Sequence, residues 1–204
     1  MALSLVQEPP APSFAAPLTE NKLKATSLRT RKAQLHDARA IHQLIESCTD
    51  DGTLLHRSYA EICENIRTFT IVETDSHQFL GCAALHVYGQ HLAEIRSIIV
   101  RPDTKGHGAG GLLVRALLDQ AEAGGINCVC LFTRIPAFFE HFRFHAVDHQ
   151  ALRDKVVKDC MRCARRNACD EIAMAIGELP APQNLPPNRF FHPRLHADLV
   201  QLQL

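Results

Sequence analysis

Four glycines fall within six residues, at Gly106, Gly108, Gly110 and Gly111, and no other stretch constrains the fold of this chain as much. They follow an apolar, β-branched run, Glu94-Ile95-Arg96-Ser97-Ile98-Ile99-Val100, which closes on Arg101-Pro102-Asp103-Thr104. They lead into a segment with Leu112, Leu113, Leu117 and Leu118 on one face, ended by Gly124-Gly125. The pattern predicts a buried strand over 94–100, a glycine-dense turn and a helix over 110–123 in direct succession. A glycine costs conformational entropy on folding unless a positive φ or a close approach requires it. A ligand-free turn is the plain alternative, and four glycines together weigh against it. Backbone N–H groups that converge at such a turn, beside the positive end of a helix dipole, form an anion cradle suited to a pyrophosphate. Lys105 and His107 sit on its rim. The spacing fits neither the Gly-x-Gly-x-x-Gly fingerprint that opens a dinucleotide-binding βαβ unit nor a phosphate loop ending in Gly-Lys-Ser/Thr.

The rest of the chain alternates in a similar way. Residues 28–33 read as a first strand. Asp37 is placed to cap a helix with the apolar face Ala40, Ile41, Leu44 and Ile45, and Ser58 to cap a second one through Ile62 and Ile66. Residues 69–73 and 79–87 read as an antiparallel pair turned at Asp75 and Ser76. Further strands are expected over 128–132 and 171–176, with a short helix from Ala137. One α/β domain over 28–177 accounts for these elements. Pro9, Pro10, Pro12 and Pro17 mark residues 1–27 as a flexible leader, and residues 178–204 form a proline-rich tail whose Phe190, Phe191 and Leu199 could pack on the body.

With 204 residues, 46% of them apolar, the chain is long enough for a full hydrophobic core. Lysine plus arginine equals aspartate plus glutamate, 22 each, so no global charge favours nucleic acid or an anionic membrane. No apolar run approaches bilayer-spanning length, and residues 1–27 lack the basic start and apolar run of a secretory signal. A cytoplasmic protein with reduced cysteines is expected, with neither nucleic-acid nor membrane partners.

The loop resembles motif A of the GNAT acyltransferase superfamily, Arg/Gln-x-x-Gly-x-Gly/Ala after a strand ending near Val-x-Pro. Here it reads Lys105-Gly106-His107-Gly108-Ala109-Gly110 after Val100-Arg101-Pro102, with lysine in the first position. The resemblance runs from Leu28 to Ile176. Four further segments narrow it: Gly52-Thr53-Leu54-Leu55-His56-Arg57-Ser58, Gly81-Cys82-Ala83-Ala84-Leu85, Ala93-Glu94-Ile95-Arg96-Ser97, and Leu131-Phe132-Thr133-Arg134 with Pro136-Ala137-Phe138-Phe139. They are similar to the short, stand-alone N-acetylglutamate synthases that lack an amino-acid-kinase domain, which acetylate the α-amine of L-glutamate at the entry to arginine biosynthesis.

The resemblance implies an α/β GNAT fold, with a mixed central sheet, a splayed strand pair and flanking helices. It implies acetyl-CoA as co-substrate and direct transfer to a small-molecule amine, glutamate first among them. Ile98, Ile99 and Val100 would then line the pantetheine arm, and Lys105, Gly106, His107, Gly108, Ala109, Gly110 and Gly111 would take the pyrophosphate. An amide near Ile98 would polarise the thioester carbonyl. Another small or protein amine, or an acyl-CoA-sensing module without turnover, are the rival readings. The fold often dimerises, so a homodimer stands open beside a monomer.

The attacking amine must lose a proton. Glu94 is the candidate base, directly or through water; the alternative is a carboxylate paired with Arg96. The two carboxylates of glutamate call for guanidinium groups, which bind carboxylates bidentately. Arg57, Arg96 and Arg134 are the candidates, each with a surface ion pair as its alternative. Many GNAT enzymes carry a tyrosine that protonates the departing thiolate. Phe139 occupies that position here, and neither Tyr59 nor Tyr88 is assigned a role.

Cys160, Cys163 and Cys169 have a spacing that could share a tetrahedral zinc with His145 or His149. Lys158, Arg162, Arg165 and Arg166 would lower the thiol pKa values. Reduced thiols in a loop before the last strand are the favoured reading, with zinc the lesser one.

Overall fold

The computed structural model describes residues 27–49, 54–163 and 166–181. The leader expected over 1–27 and the tail expected from 178 lie outside them, apart from their innermost residues.

The strands are β1 (Leu28–Lys32), β2 (Phe69–Thr74), β3 (Phe79–Gly89), β4 (Leu92–Val100), β5 (Cys128–Thr133), β6 (His145–Ala146) and β7 (Ile172–Gly177). The helices are α1 (Ala38–Glu46), α2 (Tyr59–Glu64), α3 (Ala109–Ala123), α4 (Pro136–Glu140) and α5 (Arg153–Lys158). The strands form one sheet in the order β1-β2-β3-β4-β5-β7-β6. Every neighbouring pair is antiparallel except β4 and β5, which run parallel. This is the mixed α/β sheet with flanking helices expected for a GNAT fold.

Successive side chains of a strand point to opposite faces, and the two faces of this sheet are both covered. Val72, Ala83, Leu85 and Ile95 pack under Leu113, Val114 and Leu117 of α3. Ile71, Cys82, Ala84 and Ile99 pack on the other face with Ile41, Leu44 and Ile45 of α1 and Ile62 of α2. The helical face predicted for α1 is therefore the buried one. In α3, Leu113 and Leu117 are buried, whereas Leu112 and Leu118 pack only partly against the cluster.

Two local details differ from expectation. The Asp37 carboxylate does not cap α1. It accepts from the Gln34 N–H at 2.8 Å and from the Arg31 guanidinium at 2.7 Å, because a fully buried carboxylate needs a cation. A single 3-10 turn, Leu35–Asp37, then feeds α1. Ser58 does cap α2, accepting from the Glu61 N–H at 3.2 Å. Residues 145–158, where the sequence pattern predicts no element, contain β6 and α5. Among the described residues no helix is long and apolar enough to cross a membrane.

The feature that makes a site is the parting of β4 from β5. They pair at Ala93 with Val129 and at Glu94 with Cys130, and beyond Glu94 no further pairing follows among the described residues. On its other edge β4 carries an extra residue against β3, since Cys82 faces Ile99 while Ala84 faces Arg96. Ser97, within this bulge, has φ of 51°. A bulge bends its strand and redirects the neighbouring groups.

Candidate active site

The parted strands enclose a cleft of about 300 Å³. Glu94, Arg96, Ser97 and Ile98 of β4 form one wall, Leu131 to Thr133 of β5 the other, and Arg57, Arg134 and Lys155 reach in from outside the two strands.

At the far end of β4 the four glycines divide into two pairs. Gly106 and Gly108 have φ of 82° and 84°, conformations that a side chain rarely adopts. A Cβ on either would meet nothing within 4 Å, so both face open space. Gly110 and Gly111 instead make room for packing: a Cβ would lie 3.4 Å from Phe138 Cζ in the first case and 3.3 Å from Phe142 Cζ in the second. Only the first pair shapes the loop.

The first N–H bonded within α3 is that of Leu112, to the Gly108 carbonyl at 3.0 Å. The amides of Ala109, Gly110 and Gly111 precede it and have no intrahelical carbonyl to reach. The first turn holds no acidic residue. An open concavity, three unspent amides and a dipole end fit an anionic phosphate group. Lys105 is exposed on the rim, and a His107 ring nitrogen lies 3.0 Å from the Lys105 carbonyl. Ile98 and Val100 are half-buried along the approach, whereas the Ile99 side chain turns into the core beside α1.

Glu94 is only 3% exposed and lies in a buried charge cluster. Its Oε2 accepts from Tyr88 Oη at 2.9 Å and from Arg96 through both Nε, at 3.0 Å, and Nη2. Its Oε1 faces Lys155 Nζ at 2.7 Å. Asp159 completes the cluster: its Oδ2 lies 2.8 Å from Tyr88 Oη, whose single proton it shares with Glu94 Oε2, and accepts from Arg96 Nη2 at 2.9 Å and Lys155 Nζ at 3.2 Å. Burial works against the charged form of Lys155, but the adjacent Glu94 carboxylate outweighs it and raises the pKa. Burial also opposes charge on Asp159, yet Lys155, the Tyr88 hydrogen bond and Arg96 hold that carboxyl below its usual range. Burial and the Glu94 charge push the Tyr88 phenol up, so it stays neutral. His86, paired opposite Glu94 on β3, is pushed down to about 4 by burial and by Arg96 and Lys158, which leaves a neutral imidazole at pH 7.

The three arginines singled out from the sequence all line this one cleft. Arg57 donates from Nε to Ser97 Oγ at 2.8 Å and is ion-paired with Glu61. Arg134 is paired with Asp170 at 2.8 Å, at the lip formed by the end of β5. A smaller hollow of about 140 Å³ shares Arg57 and Arg96 with the cleft and adds His86 and Thr68. The Phe139 ring is buried, lines the cleft, and meets Phe138 edge-to-face at 4.9 Å, with no hydroxyl to offer.

Sequence reasoning missed Tyr88, Lys155 and Asp159. The spacing of Lys155 and Asp159, four residues apart at the end of α5, was visible as a helical ion pair. That it folds back onto Glu94 was not. Among the described residues no group of three or more histidine, cysteine, aspartate or glutamate side chains is placed to hold a metal, so the zinc set given as the lesser reading is not assembled, and Cys160, Cys163 and Cys169 are free thiols. Burial pushes the Cys160 thiol up, outweighing the opposing charge of Lys155.

Comparison with known proteins adds four observations. The profile of the Acetyltransferase (GNAT) family matches residues 36–143. The chain is similar to an uncharacterized N-acetyltransferase of Chlorobaculum tepidum, 35% identical over 152 residues, which cover 74% of this chain and 97% of that protein. It is also similar to an amino-acid acetyltransferase of Vibrio atlanticus, 30% identical over 110 residues that cover 53% of this chain but only 24% of that protein. Among solved structures it is similar to the N-acetylglutamate synthase of Neisseria gonorrhoeae complexed with coenzyme A and N-acetyl-glutamate, with a TM-score of 0.65 and 25% identity, over 76% of this chain and 36% of that one.

Proposed function

Because this chain belongs to the acetyltransferase (GNAT) family, we propose that it transfers the acetyl group of acetyl-CoA to the α-amine of an amino acid, with L-glutamate as the acceptor its cleft fits best. The observation that carries this reading is that Glu94, Arg57, Arg96 and Arg134, from three separate segments, line one cleft between the parted strands. The lining carries four cations, Arg57, Arg96, Arg134 and Lys155, against two carboxylates, Glu94 and Glu171, a balance that favours an anionic acceptor over a polyamine. The likeness to the amino-acid acetyltransferase of Vibrio atlanticus and the N-acetyl-glutamate held by the Neisseria enzyme support an amino-acid acceptor.

Bound acetyl-CoA supplies a thioester carbonyl activated toward attack. The amides of Ala109, Gly110 and Gly111 take the pyrophosphate, with Lys105 adding charge at the rim. The backbone of Ile98 and Val100, no longer spent on β5, pairs with the pantetheine arm as an added strand would. The amide next to the Ser97 bulge polarises the thioester oxygen, an effect that grows as charge develops there. Glu94 accepts the proton of the incoming ammonium, directly or through water. The amine nitrogen then bonds to the acyl carbon and gives up its second proton to solvent as the carbon–sulfur bond breaks, and CoA leaves as the thiolate. Phe139 has no proton to give, so the thiolate takes its proton from solvent.

The test is thiol release from acetyl-CoA in the presence of a panel of free amino acids and other amines. Glutamate-dependent release supports the reading. Release with other amines alone moves the acceptor elsewhere within the family. CoA binding without turnover on any amine removes the enzymatic reading in favour of an acyl-CoA-sensing module.

A further inference from the structure

We infer that Lys155 and Asp159 are positioning residues that tune the charge of the acceptor side of the cleft, and that they do so from a segment lying beyond the region matched to the family. This deepens the proposed function and rests on its acidic acceptor. The family match ends at residue 143, and α5 begins at Arg153. Apolar packing anchors only the entry to this helix, through buried Leu152; none of the residues of α5 itself is buried in the core, and charged contacts fix its far end. Lys155 Nζ bridges Glu94 Oε1 at 2.7 Å and Asp159 Oδ2 at 3.2 Å, and Asp159 Oδ2 also takes Arg96 Nη2 at 2.9 Å.

The resulting set is balanced. Two carboxylates, Glu94 and Asp159, face two cations, Arg96 and Lys155, around the neutral Tyr88 hydroxyl. His86 faces the set from β3 as a neutral imidazole, with its Nε2 3.1 Å from Lys158 Nζ. Cys130 faces it from β5 and Cys160 from beyond α5, both as neutral thiols. All of the Arg96 bonds within the set use Nε and Nη2. Nη1 makes none of them, so the arginine is anchored by one edge while it lines both the cleft and the smaller hollow.

Removing either member of the α5 pair therefore changes the local charge by one unit, in opposite directions. Lys155→Met leaves two carboxylates against one guanidinium, and an anionic acceptor is repelled. Asp159→Asn leaves two cations on one carboxylate, and an anionic acceptor is drawn in. At an effective dielectric constant near 20, a unit charge roughly 10 Å from the acceptor carboxylate changes its binding by about tenfold. The cradle for CoA is built from other residues and should not respond.

The experiment is steady-state kinetics on the full chain with glutamate and acetyl-CoA, for the wild type, Lys155→Met, Asp159→Asn, Lys155→Arg and the Lys155→Met/Asp159→Asn double variant. We expect KM for glutamate to rise about tenfold in Lys155→Met and to fall by up to the same factor in Asp159→Asn. Lys155→Arg, which keeps the charge, should stay near the wild-type KM even where its geometry lowers kcat. The double variant, neutral again, should return toward the wild-type KM, and KM for acetyl-CoA should hold throughout. A merely structural pair would raise KM for both substrates in each single variant and more so in the double. That pattern, or glutamate KM values moving in the same direction, overturns the inference while leaving the proposed reaction intact. No glutamate turnover by the wild type removes the acidic-acceptor reading and this inference together.

Discussion

The division of the glycines into a loop pair and a packing pair can be tested by one substitution in each. In Gly108→Ala the new methyl enters open space, so no clash contributes. The cost is conformational: φ of 84° places an L side chain in the left-handed region, at about 1–2 kcal/mol. In a domain of this size each kcal/mol is worth roughly 2–4 °C in Tm, so Gly108→Ala should melt about 2–8 °C lower. Gly110 has an ordinary helical backbone, and its Cβ would stand 3.4 Å from Phe138 Cζ, a normal contact. Relief of glycine's unfolded-state entropy then gives back up to about 1 kcal/mol, and Gly110→Ala should melt at or up to about 4 °C above the wild type. The two should also differ in CoA binding. The Gly108 methyl projects into the concavity before the helix, and the loop relaxes away from φ of 84°, so CoA should bind at least about tenfold more weakly, equal to roughly 1.4 kcal/mol. The Gly110 methyl points at a phenyl ring and should leave CoA affinity within about twofold. Differential scanning calorimetry reads the first comparison and isothermal titration with CoA the second. Equal weakening of CoA by both variants, or a Gly108→Ala protein with wild-type CoA affinity, would refute the separation of roles.

Three further outcomes follow from the site. Glu94→Gln should lower kcat with glutamate by about 10²–10⁴ while CoA affinity persists; retained turnover would move the proton acceptor elsewhere. Asp159, held below its ordinary value of 3.8, stabilises the fold above that pH and loses this contribution as pH falls through the lower folded value. Lys155, raised above 10.5, contributes fully below that pH and loses its contribution as pH rises through the raised value. Urea midpoints measured against pH should accordingly flatten on the acid side in Asp159→Asn and on the alkaline side in Lys155→Met, and slopes matching the wild type would contradict the cluster. Protein purified under reducing conditions should carry far less than one zinc per chain and keep its Tm in chelator, whereas about one tightly held zinc per chain would restore the cysteine centre.

How far the sequence could be read depends on how local each determinant is. The strand, the glycine turn and α3 are adjacent in the chain, and each announces itself within a few residues: β-branched apolar side chains, then positions where only glycine fits, then apolar residues at helical spacing. Ser58 was legible for the same reason, since a cap reaches only three residues ahead. Asp37 was not, because its partner is the Arg31 side chain across the entry to α1, and a buried ion pair outcompetes a cap. The glycine pattern also overstated the loop, since Gly110 and Gly111 lie in the helix and leave room for the rings of Phe138 in α4 and Phe142 just after it, so that only Gly106 and Gly108 shape the turn.

The same distinction separates the two halves of the site. The cofactor side is written in one continuous segment, and such a segment can be shared across a family whatever each member acetylates. The proposed acceptor side is assembled from Arg57 before α2, Glu94 and Arg96 on β4, Arg134 after β5, and Lys155 and Asp159 around α5, which are joined only by the fold. Arg153-Asp154-Lys155-Val156-Val157-Lys158 has no apolar periodicity to mark it, because beyond buried Leu152 at its entry α5 is held by charged contacts. On the proposed reading, a substitution in α5 that unbalances the charges around Glu94 shifts acceptor preference while the glycine turn stays fixed. For that reason the residues that choose the acceptor are the ones that a motif, read along the chain, is least able to reveal.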